Sequence, residues 1–228
     1  MKTIGCFHAH HSNIELIERA LSAYEVELVH FVDPGLDRIK KDADFTRETV
    51  EMKVKGTLAW IARCHVDAVL VTCTFFTAAL QGEEKAGGIP LFQIDEPLFE
   101  FISGTERPVI VAFTNPDTVQ GTMEQLSAYL RRKGREVEAA PCLLENTFPL
   151  IMQGKKSEYT KHVTEGLARL VREHPGKAVA AAQLSMVPAA RQAGKETGVP
   201  VANPLDSLAA RMEEELALVR KDKPESMG

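Results

Sequence analysis

Short apolar runs alternate with longer amphipathic stretches along this chain, a pattern that predicts strands and helices in turn. The run 68–71 is aliphatic on both faces, which is typical of a central strand in a covered parallel sheet. In the stretch 44–64, apolar residues recur at spacings of three and four, which predicts a long helix with one buried face. We therefore predict an α/β protein built on parallel sheets.

The pattern around the strand at 68–71 occurs twice. Residues 67–90 align with residues 177–200 without a gap, and Cys73 then falls on Gln183. Each copy is preceded by a further predicted strand and an amphipathic helix. The repeat predicts a tandem duplication, with two similar lobes whose strand ends face one another across a shared cleft.

A polar stretch at 103–108 marks the predicted junction of the two lobes, because it contains Gly104 and lacks helical periodicity. We predict a first α/β lobe over residues 1–104 and a second α/β lobe over residues 105–207. The pattern after the second lobe is helical, and we expect this tail, 208–228, to pack back on the first lobe. At about 100 residues, either lobe is long enough to bury a core.

Composition and charge narrow the choice of partners. Lys and Arg number 27 against 32 Asp and Glu, which gives a net charge of −5, and no basic stripe is present to bind a phosphate backbone. No apolar run approaches the roughly 18 residues of a membrane span, and the N-terminus lacks the order of a signal peptide. We expect a cytoplasmic protein without nucleic-acid or membrane partners, whose four cysteines are reduced thiols.

Cys73 stands just after the predicted central strand, between two threonines. The carboxyl ends of parallel strands form the edge at which open α/β sheets bind their ligands, so this position favours a functional thiol. Thr74 and Phe75 follow it and are candidate substrate contacts. The alternative is that Cys73 is a small buried apolar residue, since free cysteine is among the most buried residue types.

The loop after the first predicted strand lies at the same edge and is rich in histidine. It contains His8, His10 and His11, but no acidic or cysteine partner stands at a recognised metal-ligand spacing, so we predict no metal site. Ser12 and Asn13 precede a predicted helix, where hydroxyl and amide groups either cap the helix or bind a carboxylate.

Polar residues also follow two other predicted strands. Thr114 and Asn115 end the first strand of the second lobe, in the place that the histidine loop holds in the first lobe. Asp95 and Glu96 end the strand predicted at 89–94. We expect these four side chains on the ligand side of their sheets, as candidate substrate contacts.

Four features together resemble a known superfamily: the T-C-T motif around Cys73, the internal repeat, I-D-E-P at 94–97 and A-Q-L-S-M at 182–186. They are similar to the aspartate/glutamate/hydantoin racemase superfamily, and the two short motifs to its single-cysteine subgroup. The resemblance covers nearly the whole chain. It implies two pseudo-symmetric lobes, each a four-stranded parallel sheet flanked by helices, with a small carboxylate substrate between them, no cofactor and a homodimer.

The same resemblance assigns chemistry to single residues. Two-cysteine members carry a thiol on either face of the substrate, one to remove a proton and one to return it, and a thiol pKa can be lowered for this task. Cys73 matches one thiol, but Gln183 stands in place of the other, and glutamine neither donates nor accepts a proton at neutral pH. Ser185, His8 and His10 are candidates for the second acid/base group.

Three functions stay open on this basis. One is a racemase or isomerase acting next to the carboxylate of a small acid, amino acid or hydantoin, with Cys73 as acid/base group or nucleophile. Another is a single-cysteine decarboxylase, and the third is a two-lobed protein that binds a carboxylate without catalysis. Because Gln183 replaces the second thiol, we expect racemisation of aspartate and glutamate to be weak or absent.

Overall fold

The computed structural model describes residues 1–80 and 83–222, which form two compact units. Unit 1 holds residues 1–93 together with the tail from residue 208 onward, and unit 2 holds residues 94–207. The end of the predicted tail, 223–228, lies outside the described residues. Within the described part of the chain, no helix is long and apolar enough to cross a membrane.

The described residues of unit 1 form a sheet with four parallel strands and one short antiparallel edge strand. The strands are β1 (Lys2–His8), β2 (Val26–Val32), β3 (Ala68–Val71), β4 (Lys85–Ala86) and β5 (Ile89–Gln93). Their spatial order is β2-β1-β3-β5-β4, and the edge strand is β4. All four residues of β3 are buried, as expected for a central strand.

The helices that follow these strands are α1 (Asn13–Leu21), α2 (Gly35–Ile39), α3 (Arg47–Ile61) and α4 (Thr74–Thr77). The helix predicted over 44–64 is α3, and its periodic apolar residues are buried against β1 and β3. It begins where the Thr46 hydroxyl accepts the N–H of Thr49 at 3.2 Å. A side chain on Gly5 would place its Cβ 2.6 Å from Ile61, so this glycine permits the close approach of α3 to β1.

The described residues of unit 2 form a three-stranded parallel sheet, one strand fewer than the resemblance implies. Its strands are β6 (Val109–Phe113), β7 (Ala139–Leu143) and β8 (Ala178–Ala181), in the spatial order β7-β6-β8. The expected fourth strand is reduced to a single parallel bridge between Ala180 and Ala202. Pro200 and Pro204 flank Ala202, and a proline has no N–H to donate, so the ladder stops there.

Five helices pack on both faces of this second sheet among residues 94–207: α5 (Glu96–Gly104), α6 (Val119–Arg132), α7 (Phe148–Met152), α8 (Lys156–Glu173) and α9 (Val187–Thr197). Leu98, Phe99 and Ile102 of α5 lie in one core cluster with three residues of β6: Val109, Val111 and Phe113. Because of these contacts α5 belongs to unit 2. The units therefore divide at residue 94, and not at Gly104 as the sequence suggests, because Gly104 is only the last residue of α5.

The tail carries the last helix, α10 (Leu208–Leu216), which belongs to unit 1. Backbone hydrogen bonds to unit 1 continue as far as residue 221. The Glu213 carboxylate accepts a hydrogen bond from the Tyr24 hydroxyl at 2.8 Å and two from the Arg220 guanidinium at 2.8 and 2.7 Å. Together these bonds fasten the tail to the residues just before β2.

Acid should weaken the attachment of the tail through Glu213. The hydrogen bonds from Arg220 and then Tyr24 lower the pKa of Glu213 from 4.5 to about 2. A lowered carboxyl pKa stabilises the fold above the unfolded value and loses that effect as the pH falls through the folded value, here between pH 4.5 and about 2. We expect Glu213→Gln to lower stability at neutral pH and to flatten the stability profile in this window, measured by urea titrations at a series of pH values.

The matched control is Glu214→Gln, because Glu214 is the exposed neighbour on the same helix. It should leave the profile unchanged. Identical acid profiles for wild type and Glu213→Gln would contradict the assignment.

Candidate functional site

Cys73 lies two residues after β3, at the carboxyl edge of the unit 1 sheet. Its backbone is extended, with φ −117° and ψ 118°, and its carbonyl accepts the N–H groups of Phe76 and Thr77 at 2.9 and 3.0 Å. The side chain is half-buried and packs at the margin of the core cluster that contains Phe76. The thiol therefore stands at a strand end, in a turn that is closed by the two hydrogen bonds to the Cys73 carbonyl.

Thr72, the residue before Cys73, is fixed by three partners. The side-chain amide of Asn13 donates to its carbonyl and to its hydroxyl, both at 3.3 Å. The Nδ1 atom of His8 lies 2.8 Å from the same hydroxyl, which in turn donates to the carbonyl of Phe7 at 3.3 Å. Through these bonds α1 and β1 set the direction in which the chain enters the Cys73 turn.

His8 is fully buried, and both of its ring nitrogens are engaged. Because the Thr72 hydroxyl donates to a carbonyl, it accepts from the Nδ1–H of His8, which leaves Nε2 to accept from the Nδ1–H of His30 at 2.9 Å. Burial, and then the neighbouring His30, lowers the pKa of His8 to about 4, so the ring is neutral at pH 7. This geometry favours a positioning role for His8 over proton transfer.

The loop before α1 uses its polar side chains differently from the predicted caps. The Ser12 hydroxyl lies 2.8 Å from Nδ1 of His10 and makes no hydrogen bond to the start of the helix. Its backbone is helical, with φ −62° and ψ −16°, whereas a capping residue is usually extended, so of the two predicted roles the Ser12 side chain does not fill that of a helix cap. Asn13 is the first residue of α1, and its amide turns back to Thr72 instead.

Gln183 occupies in unit 2 the local position that Cys73 has in unit 1. It follows β8, and its backbone is extended in the same way, with φ −117° and ψ 142°. Its side-chain oxygen accepts three hydrogen bonds: from the N–H and the hydroxyl of Thr114, both at 2.7 Å, and from the N–H of Asn115 at 3.1 Å. Thr114 and Asn115, predicted as substrate contacts, thus donate to an amide oxygen of the chain itself.

Tyr159, on α8, joins the polar residues of unit 2 and was missed by the sequence analysis. Its hydroxyl lies 3.1 Å from the Thr114 hydroxyl and 2.8 Å from the Ser185 hydroxyl. Burial raises the pKa of Tyr159, so the phenol stays protonated and can donate. Ser185 is therefore a partner of a buried tyrosine rather than an isolated hydroxyl.

The other candidate contacts are distributed over both units. Thr74 and Phe75 open α4 in unit 1, and the Phe75 ring lies 6.2 Å from the ring of Phe45. Asp95 is the residue before α5 and Glu96 is its first residue, so both belong to unit 2 and not to the first lobe, where they were predicted. Asp95 is buried.

The Gln183 hydrogen bonds should contribute measurably to the stability of unit 2. Gln183→Leu leaves two backbone N–H groups and the Thr114 hydroxyl without this acceptor, and we expect a loss of about 2–3 kcal/mol in the free energy of unfolding. Gln183→Glu keeps an acceptor oxygen and should cost less. Urea unfolding measures both, with Gln120→Leu as the control because Gln120 is an exposed glutamine of the same unit. Equal costs for Gln183→Leu and Gln120→Leu would contradict the expectation.

No protein-family model and no curated protein matches this amino-acid sequence significantly. Solved structures do match. The aspartate racemase of Picrophilus torridus aligns with 97% of this chain and 96% of its own, with a TM-score of 0.69 and 11% identity. The glutamate racemase of Francisella tularensis, solved with D-glutamate, aligns over 97% and 84%, with a TM-score of 0.66 and 18% identity. The allantoin racemase of Klebsiella pneumoniae aligns over 97% and 91%, with a TM-score of 0.64 and 16% identity.

These similarities define the class of fold, a pair of α/β units built on parallel sheets and flanked by helices. The chain has the fold of the aspartate, glutamate and allantoin racemases with which it aligns. At identities of 11–18%, the likeness concerns the fold, and activity has to be argued from the residues.

Proposed function

We propose that this protein is a cofactor-independent isomerase of the racemase kind, in which Cys73 transfers a proton next to the carboxylate of a small acid, amino acid or hydantoin. The observation that carries the proposal is the half-buried Cys73 thiol at the carboxyl edge of the sheet, in a chain with this fold. Ligands of open α/β sheets bind at that edge. A thiol is suited to the step because its pKa, ordinarily about 8.5, responds strongly to its surroundings.

The hydrogen bonds around the Cys73 turn are consistent with this proposal, because they hold the thiol in one position. A proton next to a carboxylate is weakly acidic, so the group that removes or delivers it has to be held in position. His8 and Asn13 hold Thr72 from two elements, and Thr72 is bonded directly to Cys73 through the chain. We infer that these residues position the thiol. The proposed substrate contacts beside the thiol in unit 1 are Ser12, Asn13, Thr74 and Phe75.

Gln183 favours a reaction that needs one thiol. Its amide does not act as an acid or a base at neutral pH, and its oxygen accepts three hydrogen bonds. A site with a single proton-transfer group acts on one face of the substrate, so racemisation of aspartate or glutamate should be slow. The same observation supports a second candidate, a decarboxylase in which Cys73 protonates the carbanion after carbon dioxide has left.

Proton exchange in heavy water tests the proposal directly. Wild-type protein is incubated with a panel of 2-substituted carboxylic acids, amino acids and hydantoins, and loss of the signal of the hydrogen next to the carboxylate is followed by NMR. Exchange in at least one compound supports the isomerase. Release of carbon dioxide from 2-substituted malonates, without such exchange, supports the decarboxylase.

Calorimetric titration of the same panel separates catalysis from simple capture. Binding without proton exchange and without release of carbon dioxide would contradict both proposed enzyme activities. It would instead support a protein that binds a carboxylate without catalysis. Sedimentation of the protein at several concentrations tests the proposed homodimer.

A further inference from the structure

Three metal-ligating side chains converge on one face of the unit 1 sheet: Cys6, His8 and His30, referred to below as the CHH cluster. Cys6 and His8 are two residues apart on β1, so their side chains point to the same face. His30 is the register partner of Cys6 on β2. One donor atom from each residue lies within 4.8 Å of the others.

Each of the two histidines turns one ring nitrogen toward the other and has a polar group near its outer nitrogen. Nε2 of His8 and Nδ1 of His30 face each other at 2.9 Å. The outer nitrogen of His8 is held by the Thr72 hydroxyl at 2.8 Å, and the outer nitrogen of His30 lies 3.8 Å from the Glu18 carboxylate. Histidine ligands usually have such a partner on the nitrogen that does not bind the metal.

A second observation points to a ligand within the cluster. If His30 donates its Nδ1–H to His8, then Nε2 of neutral His30 is a buried acceptor without a hydrogen-bond donor, and it faces a carboxylate. With a cation between the two rings, His30 carries its proton on Nε2, where Glu18 can accept it. Both inner nitrogens then present lone pairs to the metal. A cation therefore resolves the unsatisfied nitrogen that the ring-to-ring hydrogen bond leaves.

We propose that the CHH cluster binds one divalent cation of the zinc class. A thiolate with two neutral imidazoles is a donor set that zinc prefers. The charges of the Cys6 thiolate and of Glu18 together balance the two positive charges of the cation. With metal–ligand bonds of about 2.0–2.3 Å, tetrahedral donors stand about 3.3–3.7 Å apart, so the two facing nitrogens have to separate by roughly half an ångström.

The site joins β1 to β2 and shares His8 with the residues proposed to position the Cys73 turn, but its cation takes no part in the proton transfer proposed for Cys73. Cys6 and His8 are completely buried, whereas His30 is partly exposed beside Glu18, so the cation has an approach from that side. Its role is to fasten the two strands below the loop that leads into α1. Sequence spacing did not reveal it, because His30 reaches the cluster through strand pairing and not through a local motif.

Cobalt is the direct probe, because its spectrum reports the ligands. The full chain is freed of metal with a chelator and titrated with Co²⁺. We expect one equivalent to bind, with a thiolate-to-cobalt charge-transfer band in the near ultraviolet and the visible bands of tetrahedral cobalt. Zn²⁺ should displace it and, at about a hundredfold excess over Kd, raise the midpoint of thermal unfolding by roughly 5–10 °C.

Two variants with matched controls test the assignment. Cys6→Ser should abolish the charge-transfer band, whereas Cys64→Ser should keep it, because Cys64 lies after α3 and outside the cluster. Glu18→Gln should weaken Zn²⁺ binding about 10- to 100-fold, whereas Glu15→Gln, on the same exposed side of α1, should not. Glu18 is a surface residue, so Glu18→Gln should fold, and its Zn²⁺ affinity can be measured even if Cys6→Ser misfolds.

The proposal is overturned if the folded wild type binds no stoichiometric Co²⁺ or Zn²⁺. It is also overturned if the thiolate band persists in folded Cys6→Ser, or if Glu18→Gln and Glu15→Gln bind Zn²⁺ equally. These readouts need no enzyme activity, so they are independent of the reaction proposed for Cys73.

Discussion

Replacing Cys73 by alanine should lower the rate of proton exchange next to the substrate carboxylate by at least about 10³-fold. A positioned acid or base contributes about 10²–10⁴-fold to a rate, and the loss falls in the upper part of this range when no second group can take over. Gln183 cannot replace it, because its amide does not titrate. His8 is a poor substitute, because both of its nitrogens are engaged and its pKa is about 4.

The measurement is deuterium incorporation by NMR with the compound that wild type exchanges fastest. Cys64→Ala is the matched control, since Cys64 is also half-buried but lies at the end of α3, away from the strand edge. It should exchange at the wild-type rate. Exchange that survives in Cys73→Ala would remove Cys73 from the mechanism.

Replacing Phe76 by alanine should destabilise unit 1 by about 3–5 kcal/mol, the range for truncating a large buried aromatic side chain. Phe76 is completely buried, and its ring stacks on that of Phe7 with centroids 4.7 Å apart. The cavity would open directly under the Cys73 turn, because the N–H of Phe76 donates to the carbonyl of Cys73. The variant should therefore lose activity along with stability.

Urea unfolding followed by circular dichroism measures this cost, and hydrogen exchange in β3 assigns it to unit 1. Phe101→Ala is the control, because Phe101 is 43% exposed and its truncation should cost under about 1 kcal/mol. A loss of stability in Phe76→Ala no larger than that of the control would show that the core does not depend on this ring.

The parts of the fold with strong local signals were predictable from the sequence. The central strand β3 was identifiable as an apolar run of the right length, and the α3 helix by its period. The alignment that paired Cys73 with Gln183 agrees with the matching backbone of the two residues, each extended and each following a four-residue strand. The apolar run of β3 and the period of α3 are set by residues close together in the sequence, so a single sequence is enough to identify them.

Features made by distant residues were not predictable. Whether α5 packs on the first or the second sheet depends on side-chain contacts, because its apolar residues suit either. The pairing of Gln183 with Thr114, and of His30 with Cys6, follows from strand register, which a single sequence does not specify. In the sequence, Tyr159 looks like any other apolar residue on the buried face of α8, and nothing indicates its hydrogen bonds.

The division of the chain also has a consequence for its synthesis. Unit 2 is one continuous segment, 94–207, whereas unit 1 is completed only by the tail that carries α10 and Arg220. Domains generally fold as their residues emerge from the ribosome, the N-terminal one first. Here the order of completion is reversed, because Tyr24 precedes unit 2 in the chain but its partner Glu213 is translated only after unit 2. The nascent first unit therefore lacks the contacts of α10 and Arg220 until unit 2 has been made.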